Sequence, residues 1–224
     1  MTATKALTTL AITLLLAACT SESYDSGDGT YSYLRADFAM LHASTDLNVD
    51  YFTTDDDTRL YVAEPFTKTW ITTPDTTYRA LVYYNVPKTG STTTTVSVVS
   101  TSYIYVLTPI AAENFDTIRT DPVTFESAWL SANGTYVNIG FYIKTGTSDD
   151  DDAQQTIGIV DDGIETLDDG TTQRCLRLYH DQGDVPQYYS SRRYLSVRAD
   201  NIAADAVKIT VEDYDGTAER TITL

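Results

Sequence analysis

The sequence predicts an all-β protein, with a five-stranded OB-type barrel in its N-terminal half and an antiparallel β-sandwich after it. Three observations carry that prediction. Apolar residues recur at every second position in one run after another between Leu34 and Val211, the period of a strand with one buried face. The runs are short, and Asp, Asn, Gly and Thr fill the gaps with turn chemistry. Helical spacing shows in a single stretch, residues 109–122.

Leu34, Ala36, Phe38 and Met40 form the first run, Leu47, Val49 and Tyr51 the second, and Leu60 and Val62 the third. Ser44-Thr45-Asp46 and Asp55-Asp56-Asp57 are the turns between them. The fourth run, residues 79–86, puts Ala80, Val82, Tyr84 and Val86 on one face. The fifth, residues 96–107, is almost continuous in β-branched and aromatic residues, as in a long or bent strand. Five strands in about eighty residues is the inventory of a small OB-type barrel. An OB fold often carries a helix where this chain has residues 64–78, but that stretch is Thr-rich, contains Pro65 and Pro74, and reads as a loop. In residues 109–122, Ala111, Ala112, Phe115 and Ile118 are spaced for one short helical face, which Asp121-Pro122 ends. The predicted boundary lies here, giving a barrel over 31–115 and a sandwich over 116–224.

Alternation then resumes. Asn133-Gly134 is a hairpin signal, after which Val137, Ile139, Phe141 and Ile143 face one way and Tyr136, Asn138 and Tyr142 the other. Ile157 and Ile159, Leu176 and Leu178, Leu195 and Val197, and Val207, Ile209 and Val211 continue the pattern. Short alternating strands joined by polar turns make a sandwich.

The N-terminus has its own logic. Lys5 precedes an apolar run from Ala6 to Leu16, and Leu16-Ala17-Ala18-Cys19 closes it with small residues and a cysteine. Charged n-region, short h-region and small-residue cleavage site are those of a secretory signal. With cysteine as the next residue, the tetrapeptide resembles the lipobox of bacterial lipoproteins. That resemblance implies cleavage before Cys19 and lipid on its sulfur and new amino terminus. The run is too short to span a bilayer, so the expected mature chain is anchored by lipid. Removing the first 18 of 224 residues leaves 206. Residues 19–30 are small, polar and acidic, a tether between lipid and folded protein.

Fifteen Lys and Arg stand against 32 Asp and Glu, a net charge of −17. This argues against nucleic acid, whose phosphates require a basic patch. No G-x-S-x-G elbow, H-E-x-x-H helix, P-loop or G-x-G-x-x-G turn is present. No cofactor is expected. His180 shares a face with Leu176 and Leu178 and reads as a core or edge histidine, and Cys175 reads as a structural thiol. Asp149-Asp150-Asp151-Asp152, Asp161-Asp162-Gly163 and Asp168-Asp169-Gly170 are acidic runs, and Asp161, Asp162, Asp168 and Asp169 are weak calcium candidates. None has the spacing of a calcium loop, and solvated turns are the plainer reading. A pair of catalytic carboxylates could be assembled only by the fold.

Charge is segregated. Nine acids and no base lie between Asp149 and Asp169, and five arginines follow, at 174, 177, 192, 193 and 198. Strand arginines paired with loop acids explain this simply. The sharper expectation is a recognition face built from Arg177, Tyr188, Tyr189, Arg192, Arg193 and Tyr194, because Arg and Tyr favour interfaces.

Taken together, the chain resembles the NigD-like lipoproteins. The matching stretches are Tyr78-Arg79-Ala80-Leu81-Val82-Tyr83-Tyr84, Trp129 followed by Tyr136-Val137-Asn138-Ile139, Leu176-Arg177-Leu178-Tyr179-His180, and Tyr194-Leu195-Ser196-Val197. The resemblance implies an OB domain followed by a β-sandwich, a Gram-negative cell envelope, and a link by analogy to bacteriocin immunity. It brings no catalytic residues. The expected protein is therefore a non-enzymatic lipoprotein of the outer membrane, on either face. It would act on an unknown protein or peptide partner, a cationic bacteriocin among them. The alternative is a glycan-binding accessory lipoprotein of a surface complex, using exposed tyrosines, Trp70 or Trp129.

Overall fold

The computed structural model describes residues 33–86, 94–148 and 153–224. The predicted signal, Cys19, the tether and Asp149 to Asp152 lie outside them.

The N-terminal strands are β1 (Leu34–Ala43), β2 (Val49–Thr54), β3 (Arg59–Phe66), β4 (Thr76–Asn85) and β5 (Thr95–Tyr103). They close into a barrel in the order β1-β2-β3-β5-β4. Only β3 and β5 pair parallel; the other neighbours are antiparallel. Ala39, Leu41, Ala43, Phe52, Val82 and Tyr84 fill the interior. Alternating small and large side chains fit the taper of a small barrel. The 64–78 connection is not helical: β3 runs on to Phe66, and buried Ile71 packs with the core.

Face assignments are overturned on two barrel strands: on β2 the register shifts between Val49 and Tyr51, so Phe52 and not Tyr51 enters the core. The even-numbered residues of β1 show the alternation in the sequence, yet Ala39, Leu41 and Ala43 point inward. Phe38 and Met40 sit on the outside of the barrel, where the second domain covers them. Apolar alternation marks a buried face without saying what buries it.

The rest of the chain forms β6 (Tyr105–Leu107), β7 (Ile110–Ala111), β8 (Thr124–Leu130), β9 (Tyr136–Thr145), β10 (Thr156–Thr166), β11 (Thr172–Asp181), β12 (Tyr189–Arg198), β13 (Ala206–Asp213) and β14 (Gly216–Thr223). One sheet has the order β6-β12-β9-β8 and the other β14-β13-β11-β10-β7. Val137, Ile139, Phe141, Leu176, Leu195 and Ile209 are among the residues packed between them. The sandwich is mainly antiparallel, but the β6–β12, β7–β10 and β11–β13 pairs are parallel.

Residues 109–122 do not form the expected helical face. They hold β7 and a single 3-10 turn, Ala112–Asn114, after which Phe115 stacks on Tyr179. A helix this short has a costly nucleus and few hydrogen bonds to repay it. Pairing with sheet edges satisfies the same backbone: β7 joins β10, and the Asp121 amide donates to the His180 carbonyl. The chain passes from barrel to sandwich at buried Ile104, so β6 and β7 both belong to the sandwich sheets.

Candidate functional site

The outer face of the β6-β12-β9-β8 sheet lies against the barrel. That is why β9 is buried on both faces: Val137, Ile139 and Phe141 enter the sandwich core, while Tyr136, Asn138 and Gly140 face the junction. At its centre is Arg79 of β4, 2% exposed. Its alternation with Ala80 and Val82 turns it away from the barrel interior and into the second domain.

The Arg79 guanidinium binds the Asp55 carboxylate through both terminal nitrogens, Nη1 to Oδ1 and Nη2 to Oδ2, the latter at 2.8 Å. Nη2 also donates to Asn138 Oδ1 at 3.0 Å, and Nε donates to Ser196 Oγ at 3.4 Å. Ser196 Oγ donates in turn to Asn138 Oδ1 at 2.7 Å. The rings of Tyr136 and Phe38 lie 4.2 and 5.5 Å from the guanidinium carbon. A buried cation must be paired and hydrogen-bonded to be tolerated, and here both domains supply the partners. Around this centre, Phe38 meets Trp129 and Tyr194 edge-on at 5.3 and 5.1 Å. Asn133 closes the far side, its amide on the Asp55 carbonyl and its side chain on Asp57. The junction thus fixes the two domains relative to each other.

Beside it lies a cleft of about 550 Å³. Leu81 and Tyr83 of β4, Tyr103 of β5, Tyr105 of β6 and the β12 segment Arg192-Arg193-Tyr194 line it. A second recess of about 220 Å³ adjoins it and reaches the edge of the sandwich core at Leu107, Phe141, Ile157 and Leu195. The Tyr194 ring can lie flat against the sheet because residue 140 is glycine; a Cβ there would stand 2.9 Å from the ring. Burial pushes the Tyr103 and Tyr194 hydroxyls above the ordinary phenol range. Arg192 Nε donates to Glu126 Oε2 at 2.7 Å, and that bond holds the guanidinium more firmly charged. Its carbon stands 4.9 Å from the Tyr194 ring centre. Arg193 has no ion pair among the described residues.

The structure places three of the six residues expected to form a recognition face at the cleft. Arg192, Arg193 and Tyr194 line the cleft, and Tyr188 and Tyr189 stand exposed at the start of the same strand. Arg177 is elsewhere: it is on β11 in the other sheet and is held by Asp162, with Nε to Oδ2 at 3.1 Å. The expectation of turns and loop acids fails at this run: Asp161 and Asp162 lie within β10, where the register shifts between Asp161 and Gly163, and they pair with Arg174 and Arg177 of the neighbouring strand β11. Asp169 Oδ1 caps Thr171 instead, and Asp168 sits in the same β10–β11 turn. Among the described residues no three His, Cys, Asp or Glu converge as metal ligands. His180 is buried with Nδ1 2.9 Å from the Asp121 carbonyl, and Cys175 is buried and unpaired by any disulfide. Trp70 packs on Tyr78 and Tyr103, and Trp129 is held by Phe38 and Tyr194, so both are half-buried. Sequence reading did not single out Tyr83, Tyr103 and Tyr105 as site residues. Tyr103 and Tyr105 flank the crossing between domains at Ile104, and Tyr83 reaches the cleft from β4.

Among the described residues, no helix is long and apolar enough to cross a membrane. Residues 106–224 match the family model described as the NigD-like C-terminal beta sandwich domain. A NigD-like immunity protein from Bacteroides caccae is 25% identical, with a TM-score of 0.62 over 83% of this chain and 91% of that one. A protein of unknown function from Bacteroides vulgatus (15% identical, TM-score 0.63) is alike over 85% of this chain and 90% of its own. A candidate lipoprotein from Bacteroides fragilis (14% identical, TM-score 0.61) shares the fold over 85% of this chain and 97% of its own. No curated protein gives a significant match.

Proposed function

Because this chain belongs to the NigD-like family, we propose that it is a lipid-anchored, non-enzymatic protein of the cell envelope that acts by binding, in the manner of an immunity protein. The observation that carries this reading is the cleft between the domains. It is concave, lined by tyrosines and two arginines, and held open by a junction built around a buried cation. Tyr and Arg are the side chains that supply most of the energy in protein interfaces, through large rigid contact areas and directed donors. The similarity to an immunity protein and to a candidate lipoprotein supports the same direction.

Cys19 would carry the lipid, and residues 19–30 would let the folded part sweep the volume near the membrane. The net charge of −17 draws a basic peptide toward the protein over several ångströms and raises its encounter rate before contact. A toxic cationic peptide would then be held in the cleft instead of entering the bilayer. The outer membrane is the proposed site of anchoring.

The test compares three strains under challenge with a cationic bacteriocin: one with the full chain, one with Cys19→Ala, and one lacking the protein. Protection that requires both the chain and Cys19, with peptide association slowed about tenfold by raising salt, supports the reading. Equal sensitivity of all three strains overturns it. Selective capture of a polysaccharide with little salt dependence would instead favour the glycan-accessory alternative.

A further inference from the structure

β12 spans ten residues, but its neighbour β6 pairs with only three of them, Leu195, Ser196 and Val197. Alongside 189–194, on the edge away from β9, no strand of the described residues is paired. An open edge of this kind is a template for an added strand, because its unpaired N–H and C=O groups form a row. Native proteins usually blunt such edges with charge or cover. Here the edge opens on the cleft, and beside it a recess leads to Phe141, Leu195 and Ile157, where an apolar side chain of an incoming strand can lodge.

Charge selects the occupant. In this acidic molecule Arg35, Arg79, Arg174, Arg177, Arg192 and Arg198 each sit on a carboxylate. Arg193, on the open edge, has none among the described residues and lines both the cleft and the recess. An acidic peptide would be repelled by the net charge of −17. A basic peptide is attracted, and the one anion that every such chain carries is its C-terminal carboxylate.

We infer that the free edge of β12 receives the C-terminal end of a basic, extended peptide as an added strand, with its terminal carboxylate on Arg193. Tyr105 stands opposite Leu195 at the start of β6, so β6 blocks further progress along the edge. A strand that runs parallel to β12 past Tyr189 and Ser191 ends opposite Arg193, just short of that block. The guanidinium fork matches a carboxylate in a bidentate pair, which gives the contact direction as well as charge. This inference rests on the binding reading above and names its ligand chemistry.

The probe is a short peptide alternating Lys with Val and Tyr, titrated into the full chain in three forms: free carboxylate, C-terminal amide, and free carboxylate with alternate backbone nitrogens methylated. The carboxylate form should bind roughly tenfold more tightly than the amide, and the methylated form about tenfold more weakly than its parent. Arg193→Gln should erase the difference between carboxylate and amide, and Arg193→Lys should keep part of it. Arg193 is exposed and unpaired, so neither variant threatens the fold. Equal affinity for carboxylate and amide, indifference to methylation, or no binding in any form overturns the inference. If salt-dependent binding persists without carboxylate preference, this inference fails and the proposed function stands. If the strains above are equally sensitive, the proposed function fails whatever the peptide does.

Discussion

Replacing Arg79 with Met removes the cation around which the domain junction is built while keeping an apolar stem of similar length in its place. Asp55 then holds a carboxylate, 17% exposed, with no counter-ion, and Asn138 and Ser196 each lose a donor. Breaking a buried ion pair from one side costs about 3–5 kcal/mol. The partial exposure of Asp55 lets water screen it, which points to the lower end, about 3 kcal/mol. For a chain of this size that corresponds to a fall of about 6–12 °C in Tm. Urea unfolding followed by tryptophan fluorescence measures it: Trp129 lies in the junction and Trp70 on the barrel, so Trp→Phe variants separate the two reports. Loss of the junction should also split one transition into two. The double variant Arg79→Met, Asp55→Asn removes both charges and should recover more than half of the loss. A single-variant loss below about 1 kcal/mol, or a double variant no better than the single, would refute the reasoning.

Three further outcomes are expected. Gly140→Ala places a Cβ 2.9 Å from the Tyr194 ring, so it should cost about 1–3 kcal/mol by thermal unfolding and weaken peptide binding in the cleft. Acid should destabilise the protein through Asp56, Asp200 and Asp205, whose carboxyls are held below the usual range by Thr54, by Arg198 and by Thr172 respectively. Because the folded values lie lower than the unfolded ones, that stability is complete above about pH 4 and is lost as pH falls through the folded values, which stepwise urea titrations will show. In alkali the sign reverses: burial raises Tyr84, Tyr103 and Tyr194, so absorbance of phenolate should develop for these only above the ordinary range near pH 10, with stability falling as they ionise.

Much of the fold was legible because period-two alternation and turn chemistry are local. All five barrel strands, and the inward face of β9 at Val137, Ile139, Phe141 and Ile143, follow from them. Local pattern does not reveal which neighbour covers a face. Phe38 and Met40 read as barrel core and are buried by the sandwich instead. For the same reason Arg79 passed as one residue of a matching stretch, although Arg79, Asn138 and Ser196, from three of the four stretches that carry the family resemblance, meet at one point. Of the recognition face, the residues contiguous in sequence on β12 stayed together, whereas Arg177 was lost because neighbouring positions in sequence can lie in different sheets. The tyrosines of the cleft come from two domains, and only the fold puts them side by side.

The most direct test of the cleft as the binding site is chemical-shift mapping of the isotope-labelled full chain during titration with the basic peptide in its carboxylate form. Shifts concentrated at Leu81, Tyr83, Tyr103, Tyr105 and Arg192 to Tyr194, and abolished by Arg193→Gln together with Tyr194→Ala, are the predicted result. Shifts spread over the acidic stretch from Asp161 to Asp169, with the cleft unmoved, would contradict it.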